Sequence, residues 1–121
     1  MARREHKDFK EVLKTTDEIE LTVQGRNSGR ESSRPVWFVQ DGNKLYLLPV
    51  TGSDSEWYKN LLTNAEITLA ADGSKLSAKA KPIRDPKRVR ETVEKFRAKH
   101  GAGEVKKYYS KFDVAVEVPL D

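Results

Sequence analysis

The stretch with the clearest capacity for chemistry is Gly25-Arg26-Asn27-Ser28-Gly29-Arg30. Two glycines let a backbone turn through positive φ and aim its N–H groups at an anion. Arg26, Arg30 and the nearby Arg34 would add charge-assisted bonds to phosphate oxygens. The same residues would also make an ordinary polar turn between strands, and the loop alone does not separate the two readings. It lacks the Gly-Lys-Ser/Thr ending of a Walker loop and does not lead into a helix, so ATP hydrolysis and a Rossmann mode are disfavoured.

The residue types that are missing narrow the chemistry further. The chain has no Cys, which removes thiol nucleophiles, disulfides and thiolate metal sites. Its two His, His6 and His100, stand far apart in polar stretches, so no metal site is expected. No paired carboxylates and no Ser/His/Asp set stand out, and hydrolysis has no positive support. Redox chemistry would therefore have to be supplied by a bound organic cofactor.

These residues must be positioned by a small scaffold. With 121 residues, 36% of them hydrophobic, the chain suits a single domain spanning 1–121 with one core. No apolar stretch approaches the ~20 residues of a membrane span, and the polar start Met1 to His6 lacks a signal-like apolar run, so a soluble, cytoplasmic protein is expected. The net charge of +4 is uneven, with ten Lys and Arg against four Asp and Glu between Arg84 and Lys111. Such a segment attracts anions or is simply a solvated helix face.

The hydrophobic pattern reads as short strands with few helices. Asp8 to Leu13 suggests a short opening helix, and Ile19, Leu21 and Val23 alternate with polar residues as in a half-buried strand. Pro35 to Val39 and Lys44 to Leu48 form a hairpin across Asp41-Gly42. A second loop, Val50 to Ser55, leads into a helix over 56–62, with Asp54 or Ser55 as its cap. Glu66 to Ala71 and Ser74 to Ile83 make another hairpin across Asp72-Gly73. Asp85-Pro86 then opens a helix to about His100, with Val89, Val93 and Phe96 buried and Gly101 as the stop. Phe112, Val114, Val116 and Val118 mark a last strand. Six antiparallel-type strands favour a mainly β fold, a small closed or split barrel with peripheral helices, because closure removes exposed edges.

The ordered set of Gly25 to Arg30, Pro35-Val36-Trp37-Phe38-Val39, a Gly-containing turn and Trp57-Tyr58-Lys59-Asn60-Leu61-Leu62-Thr63-Asn64 resembles the flavin/deazaflavin oxidoreductase superfamily. It looks closest to the deazaflavin (F420)-dependent nitroreductase branch, over about residues 19 to 83. The resemblance implies a six-stranded split β-barrel like that of pyridoxamine phosphate oxidases. It implies F420, or FMN in neighbouring branches, as cofactor, and hydride transfer to or from a small organic substrate. By position, Arg26, Asn27, Ser28, Gly29 and Arg30 would lie near the cofactor phosphate, with Asn27 where the family usually has Lys. Ser32 replaces an expected arginine, for which Arg34, on the same face of an extended segment, would substitute. Pro49, Val50, Thr51 and Gly52 would lie along the ring, with Thr51 in place of a Lys and Lys59 a further cation. Trp57 would pack beside the ring, and Tyr108 and Tyr109 would line the substrate pocket.

Pattern alone also allows Trp57, Leu61 and Leu62 to be core, Trp37 and Phe38 to be barrel residues, and Asn60 to brace the neighbouring turn. The leading functional reading is an F420- or FMN-dependent oxidoreductase. A second is a non-catalytic cofactor- or tetrapyrrole-binding barrel. A third, nucleic-acid binding through residues 84–111 with Tyr108 and Tyr109 stacking on bases, is disfavoured. Related barrels pair into dimers, and nothing in the sequence decides whether this one does.

Overall fold

The alternation of Ile19, Leu21 and Val23 with polar neighbours is realised as β1 (Glu18–Gln24), whose apolar residues are buried on one face. The computed structural model describes residues 9 and 11–120. His6, Asp8 and Lys10 lie outside the described residues. In chain order the elements are α1 (11–13, with Phe9 also helical), β1, β2 (Glu31–Asp41), β3 (Lys44–Leu47), a 3-10 turn (Gly52–Asp54) and α2 (Glu56–Thr63). They continue as β4 (Glu66–Ala71), β5 (Ser74–Lys79), β6 (Lys81–Ile83), α3 (Pro86–His100), α4 (Ala102–Tyr108) and β7 (Ala115–Pro119).

All pairings are antiparallel, in the order β5-β4-β1-β2-β3-β7-β6. The two ends of that order, β5 and β6, are consecutive in the chain, so the sheet curls back on itself as a split barrel. This explains why seven strands stand where the sequence pattern gave six. The segment 74–83 is broken at Ala80, whose N–H leaves the ladder to bond Ala65 O at 2.8 Å. Before the break the chain pairs with β4 (Leu76 opposite Leu69), and after it with β7 (Pro82 opposite Val116). On the other side β2 makes the same exchange, pairing with β1 over 31–37 and with β3 over 38–41.

The barrel interior is filled by Leu21, Phe38, Leu45, Leu47, Leu69 and Val116, among others, and α2 closes one side with Trp57, Tyr58 and Leu61. A second cluster lies on the outer face, where Val39, Ile83 and Ala115 meet Val89, Val93 and Phe96 of α3 and Val105 of α4. Strand β7 is thus covered on both faces, and even Glu117 is buried. Its carboxylate is matched by Arg88 at 2.6 Å and Lys44 at 3.7 Å. The caps expected for α3 are present: Asp85 accepts from the Arg88 N–H at 3.2 Å, Pro86 opens the helix, and Gly101 ends it at φ 96°. Asp72 and Gly73 both take positive φ, 50° and 85°, as a two-residue hairpin turn requires.

Three more parts of the fold depart from the sequence pattern, the first being the last strand, which begins at Ala115 and leaves Phe112 and Val114 before it. Strand β2 starts at Glu31, because its polar first half is held by backbone pairing to β1 alone and stays exposed. Helix α4 was not anticipated, since its seven residues include Gly103 and follow the Gly101 stop; only Val105 is fully buried.

Tyr58 is almost fully buried, and its Oη is the buried side-chain polar atom without a hydrogen-bond partner among the described residues. Removing that hydroxyl abolishes a desolvation cost and no bond. Tyr58→Phe should therefore keep or raise stability by up to about 1 kcal/mol in urea unfolding. Leu69→Ala, which empties a fully packed position, should cost about 2–5 kcal/mol in the same assay.

Candidate functional site

The exchange of partners along β2 opens a cleft. Its first half has a neighbour on one edge only, and beside the free edge lies a cavity of about 700 Å³. This is within the ~300–1,000 Å³ range of small-molecule sites. β2 contributes Arg34, Pro35, Val36 and Trp37. The loop before α2 contributes Val50, Thr51 and Ser55, α2 itself Glu56 and Trp57, and the α4 region Glu104, Tyr108 and Tyr109, with Glu18 from β1. Of the residues singled out from sequence, Arg34, Val50, Thr51, Trp57, Tyr108 and Tyr109 meet in this one cleft.

The glycine-rich loop lies beside the cleft rather than in its lining. Gly29 takes φ 74°, whereas Gly25 does not need positive φ and matters for close approach: an added Cβ there would lie 3.1 Å from Ser28 Oγ and 3.2 Å from Arg30 O. Several of the loop amides already have acceptors inside the protein. Gly29 N–H bonds Gly25 O at 2.9 Å, Arg30 N–H bonds Ser28 Oγ at 3.1 Å, and Arg26 N–H bonds Asn60 Oδ1 at 3.1 Å. Arg26 donates again to Asn60 Oδ1 through Nη1 at 2.7 Å and to Glu56 through Nη2 at 2.9 Å. Asn60 thus braces the turn, and Arg26 joins it to α2. That guanidinium, with Lys59 at 3.9 Å and the charge of Arg34 across the cleft, holds the Glu56 carboxyl below its ordinary range. Asn27 and Ser28 are exposed.

Arg34 stands apart from Arg26. It is exposed, lines the cleft, and among the described residues makes no ion pair and no side-chain hydrogen bond. The β1–β2 register sets Ser32 opposite Val23 and Arg34 opposite Leu21, so Arg34 shares the face of Ser32, as expected for residues two apart.

The second loop is fixed by its neighbours. Pro49 is buried and accepts from Gly52 N–H at 3.1 Å; Val50 O accepts from Ser110 N–H at 2.9 Å. Ser55 does not cap α2 with its side chain, because its Oγ is turned to Thr51, bonding both the N–H (3.1 Å) and the hydroxyl (2.8 Å). Asp113 receives Ser53 N–H at 2.9 Å and Ser53 Oγ at 2.5 Å, and Lys111 reaches Asp54 at 3.1 Å. Burial is the largest influence on Asp113 and works against its charge, but the two Ser53 bonds, the Asp113 backbone N–H and the Lys111 ammonium together hold its carboxyl low.

The other wall is aromatic. Trp37 is stacked on His100 with centroids 4.5 Å apart, and Tyr108 meets it edge-on at 5.6 Å. Tyr109 is buried, which pushes its phenol up. His100 was read from sequence only as an isolated histidine, and its stacking partner is 63 residues away. Its Nε2 lies 3.1 Å from Phe38 O, an atom that only accepts, so the neutral ring carries its proton on Nε2. Lys99 donates to the same carbonyl at 3.0 Å. Burial pulls His100 below its ordinary 6.5, with the Phe38 bond opposing and Lys99 adding to the fall. Four further cations of the basic segment are held in ion pairs: Arg88 on Glu117, Lys95 on Asp41, Arg97 on Glu94 and Lys111 on Asp54. Among the described residues no group of three or more His, Asp and Glu could hold a metal ion, and no helix is long and apolar enough to cross a membrane.

The curled seven-stranded sheet with an edge cleft defines a split β-barrel of the pyridoxamine phosphate oxidase kind. Solved structures agree. The chain is 18% identical to the F420-H2 dependent reductase FDR-A, covering 84% of this chain and 93% of that one, at TM-score 0.63. It is 16% identical to a proposed pyridoxamine 5′-phosphate oxidase from Listeria innocua, covering 96% and 94%, at TM-score 0.67. It is 15% identical to HutZ, the haem storage protein of Vibrio cholerae, covering 95% and 89%, at TM-score 0.70. No curated protein matches the sequence. Over residues 10–116 the chain matches, and belongs to, the family described as an uncharacterized protein conserved in bacteria, DUF2255.

Three outcomes follow from the site geometry. Gly52 has φ 60°, and a Cβ there would fall 2.2 Å from Asp113 Oδ1 and 2.9 Å from Lys111 Cγ. Gly52→Ala should cost about 1–3 kcal/mol in denaturant unfolding, the scale of a strained left-handed residue. Gly29→Ala, with open space around its Cβ, should show only the roughly 1–2 kcal/mol left-handed cost. For His100, a folded pKa below the unfolded one means that the unfolded chain binds the extra proton. The contribution to stability is full above pH 6.5 and is lost as pH falls through 6.5 toward the folded value. An NMR titration of the ring should give a midpoint below 6.5.

Proposed function

We propose that this protein is a split-barrel oxidoreductase that binds a flavin-type cofactor, F420 or alternatively FMN, in the β2-edge cleft and serves hydride transfer to or from a small organic substrate. Bound there, the ring would supply the hydride chemistry, and the protein would supply position and electrostatics. The observation that carries the reading is Arg34, an unpaired guanidinium in a cleft whose other walls are Trp57, the Val50–Thr51 backbone and an aromatic cluster. Arg34 would take the anionic tail, with Arg30 as a second cation. Arg26 would act as a positioning residue through Glu56 and Asn60. Asn27, Ser28 and Gly29 would border the phosphate end, and Pro49 and Gly52 would set the course of the loop along the ring. Tyr108 and Tyr109 would face the substrate. Similarity to an F420-H2 dependent reductase and the resemblance of the ordered motifs support this reading. The free edge of β2 over 31–37 supports a second copy of the chain as a partner there.

Similarity to a haem storage protein favours a second reading, non-catalytic binding of a tetrapyrrole on the same barrel. Titrating the purified protein separately with F420, FMN and haem, followed by fluorescence and absorbance, separates the two. Saturable F420 or FMN binding that Arg34→Ala weakens by at least about 1 kcal/mol, roughly fivefold, is the expected result. Affinity for both flavins unchanged in that variant, or binding of haem alone, would overturn the assignment.

A further inference from the structure

The lining of the cleft is not uniformly cationic. It holds one arginine, Arg34, and three glutamates, Glu18, Glu56 and Glu104. Glu56 is neutralised by Arg26 at 2.9 Å. Glu18 and Glu104 are exposed, and among the described residues neither carboxylate has an ion pair or a side-chain hydrogen bond. Both belong to the aromatic wall. Glu18 stands opposite Trp37 in the β1–β2 register, and Glu104 lies one helical turn before Tyr108 on α4. Arg34 and Trp57 belong instead to the edge of β2 and to α2. The cleft therefore has a guanidinium region and, on the outer side of β2, a region of electron-rich rings beside unpaired carboxylates.

That second region has the chemistry of an organic-cation site. An indole and a phenol ring attract positive charge through their π faces, and flanking carboxylates add to the attraction in a concave setting. The attraction is already used once on this surface, where the Lys107 ammonium lies 5.3 Å from the Tyr108 centroid. Behind Trp37 the stacked His100 is held toward its neutral form by burial, so it does not place a competing charge against the indole. A polyanionic group would be repelled by Glu18 and Glu104, and among the residues that line the cleft its one cationic partner is Arg34.

We propose that the Glu18–Trp37–Tyr108–Glu104 face takes a planar aromatic cation, a ring bearing a pyridinium or ammonium charge, and that this is the substrate class of the protein. The face binds such a molecule independently of any cofactor; calling it a substrate rests on the oxidoreductase reading above.

The test uses three soluble rings of nearly one shape and different charge: 1-methylnicotinamide as the cation, nicotinamide as the neutral form and nicotinate as the anion. Each is titrated into the whole protein by isothermal calorimetry, supported by tryptophan fluorescence. The cation should bind about fivefold or more tightly than the neutral ring, the scale of a cation–π contact, and nicotinate most weakly. The preference should shrink as salt rises. In the Glu18→Gln/Glu104→Gln double variant, checked for folding by circular dichroism, the cation should fall to the affinity of nicotinamide. Equal binding of the three rings, preference for nicotinate, or a cation preference that survives the double variant would overturn the proposal. If the double variant does not fold, the single variants Glu18→Gln and Glu104→Gln decide it, each expected to lose part of the preference. A failed flavin titration with this preference intact sinks only the cofactor reading, and the converse sinks only this one.

Discussion

A strand offers two hydrogen-bonding edges, and β2 uses them one after the other. Up to Trp37 it pairs with β1; from Phe38 onward it pairs with β3. Among the described residues no strand occupies the second edge of the first half, and the cleft forms there. Beyond the last β1 pair the Phe38 carbonyl needs other donors, and Lys99 and His100 from the end of α3 provide them. The bond that satisfies this carbonyl also sets the imidazole against Trp37, so the aromatic wall of the cleft is a consequence of the strand exchange. The opposite exchange, at Ala80, closes the barrel and leaves β7 buried on both faces.

Most of this architecture was legible because the core obeys simple periods. Ile19, Leu21 and Val23 announced β1, Val89, Val93 and Phe96 announced α3, and Asp72-Gly73 announced its turn; Asp41-Gly42 located the other hairpin, although Asp41 stays in β2 opposite Lys44 and the turn residues are Gly42 and Asn43. The misses have physical causes. Glu31, Ser32 and Ser33 carry no apolar signal because nothing covers them; only backbone pairing makes them a strand. The break at Ala80 is invisible in an apolar count, since pairing partners change while the chain stays extended. The last strand looked half-buried by alternation, yet α3 covers its outer face and turns Ala115 and Glu117 inward. Helix α4 is held by tertiary contact through Val105 against poor local propensity.

The candidate site was legible in part. Six of the residues chosen from motif positions meet in the cleft, which one short motif could not have secured by itself. Trp37 lay within a motif stretch but was read as a barrel residue, Glu18 and Glu104 carried no motif, and only the β1–β2 register and the unexpected α4 bring the three there. The two prominent arginines also exchanged weight. Arg26 sits in the eye-catching loop, but Asn60 and Glu56 hold its guanidinium, a pairing 30 and more residues apart that sequence does not display. Arg34 sits in an unremarkable polar run and keeps its donors free.

Recognition at the proposed site would therefore rest on side chains more than on main-chain amides. A glycine-rich loop binds an anion well when consecutive N–H groups converge on empty space. Here the amides of Arg26, Gly29 and Arg30 are used within the loop and on Asn60, and those of Thr51, Gly52 and Ser53 are used by Ser55, Pro49 and Asp113. These bonds rigidify both loops and withdraw their donors. A ligand bound there as proposed would gain a fixed wall without much of its hydrogen bonding, and the discriminating contacts would fall to Arg34, to the ring faces of Trp37 and Tyr108, and to the two unpaired carboxylates. Such a site selects by shape and charge sign, since a guanidinium on one wall and carboxylates on another reward a ligand whose own charges are separated in the matching sense.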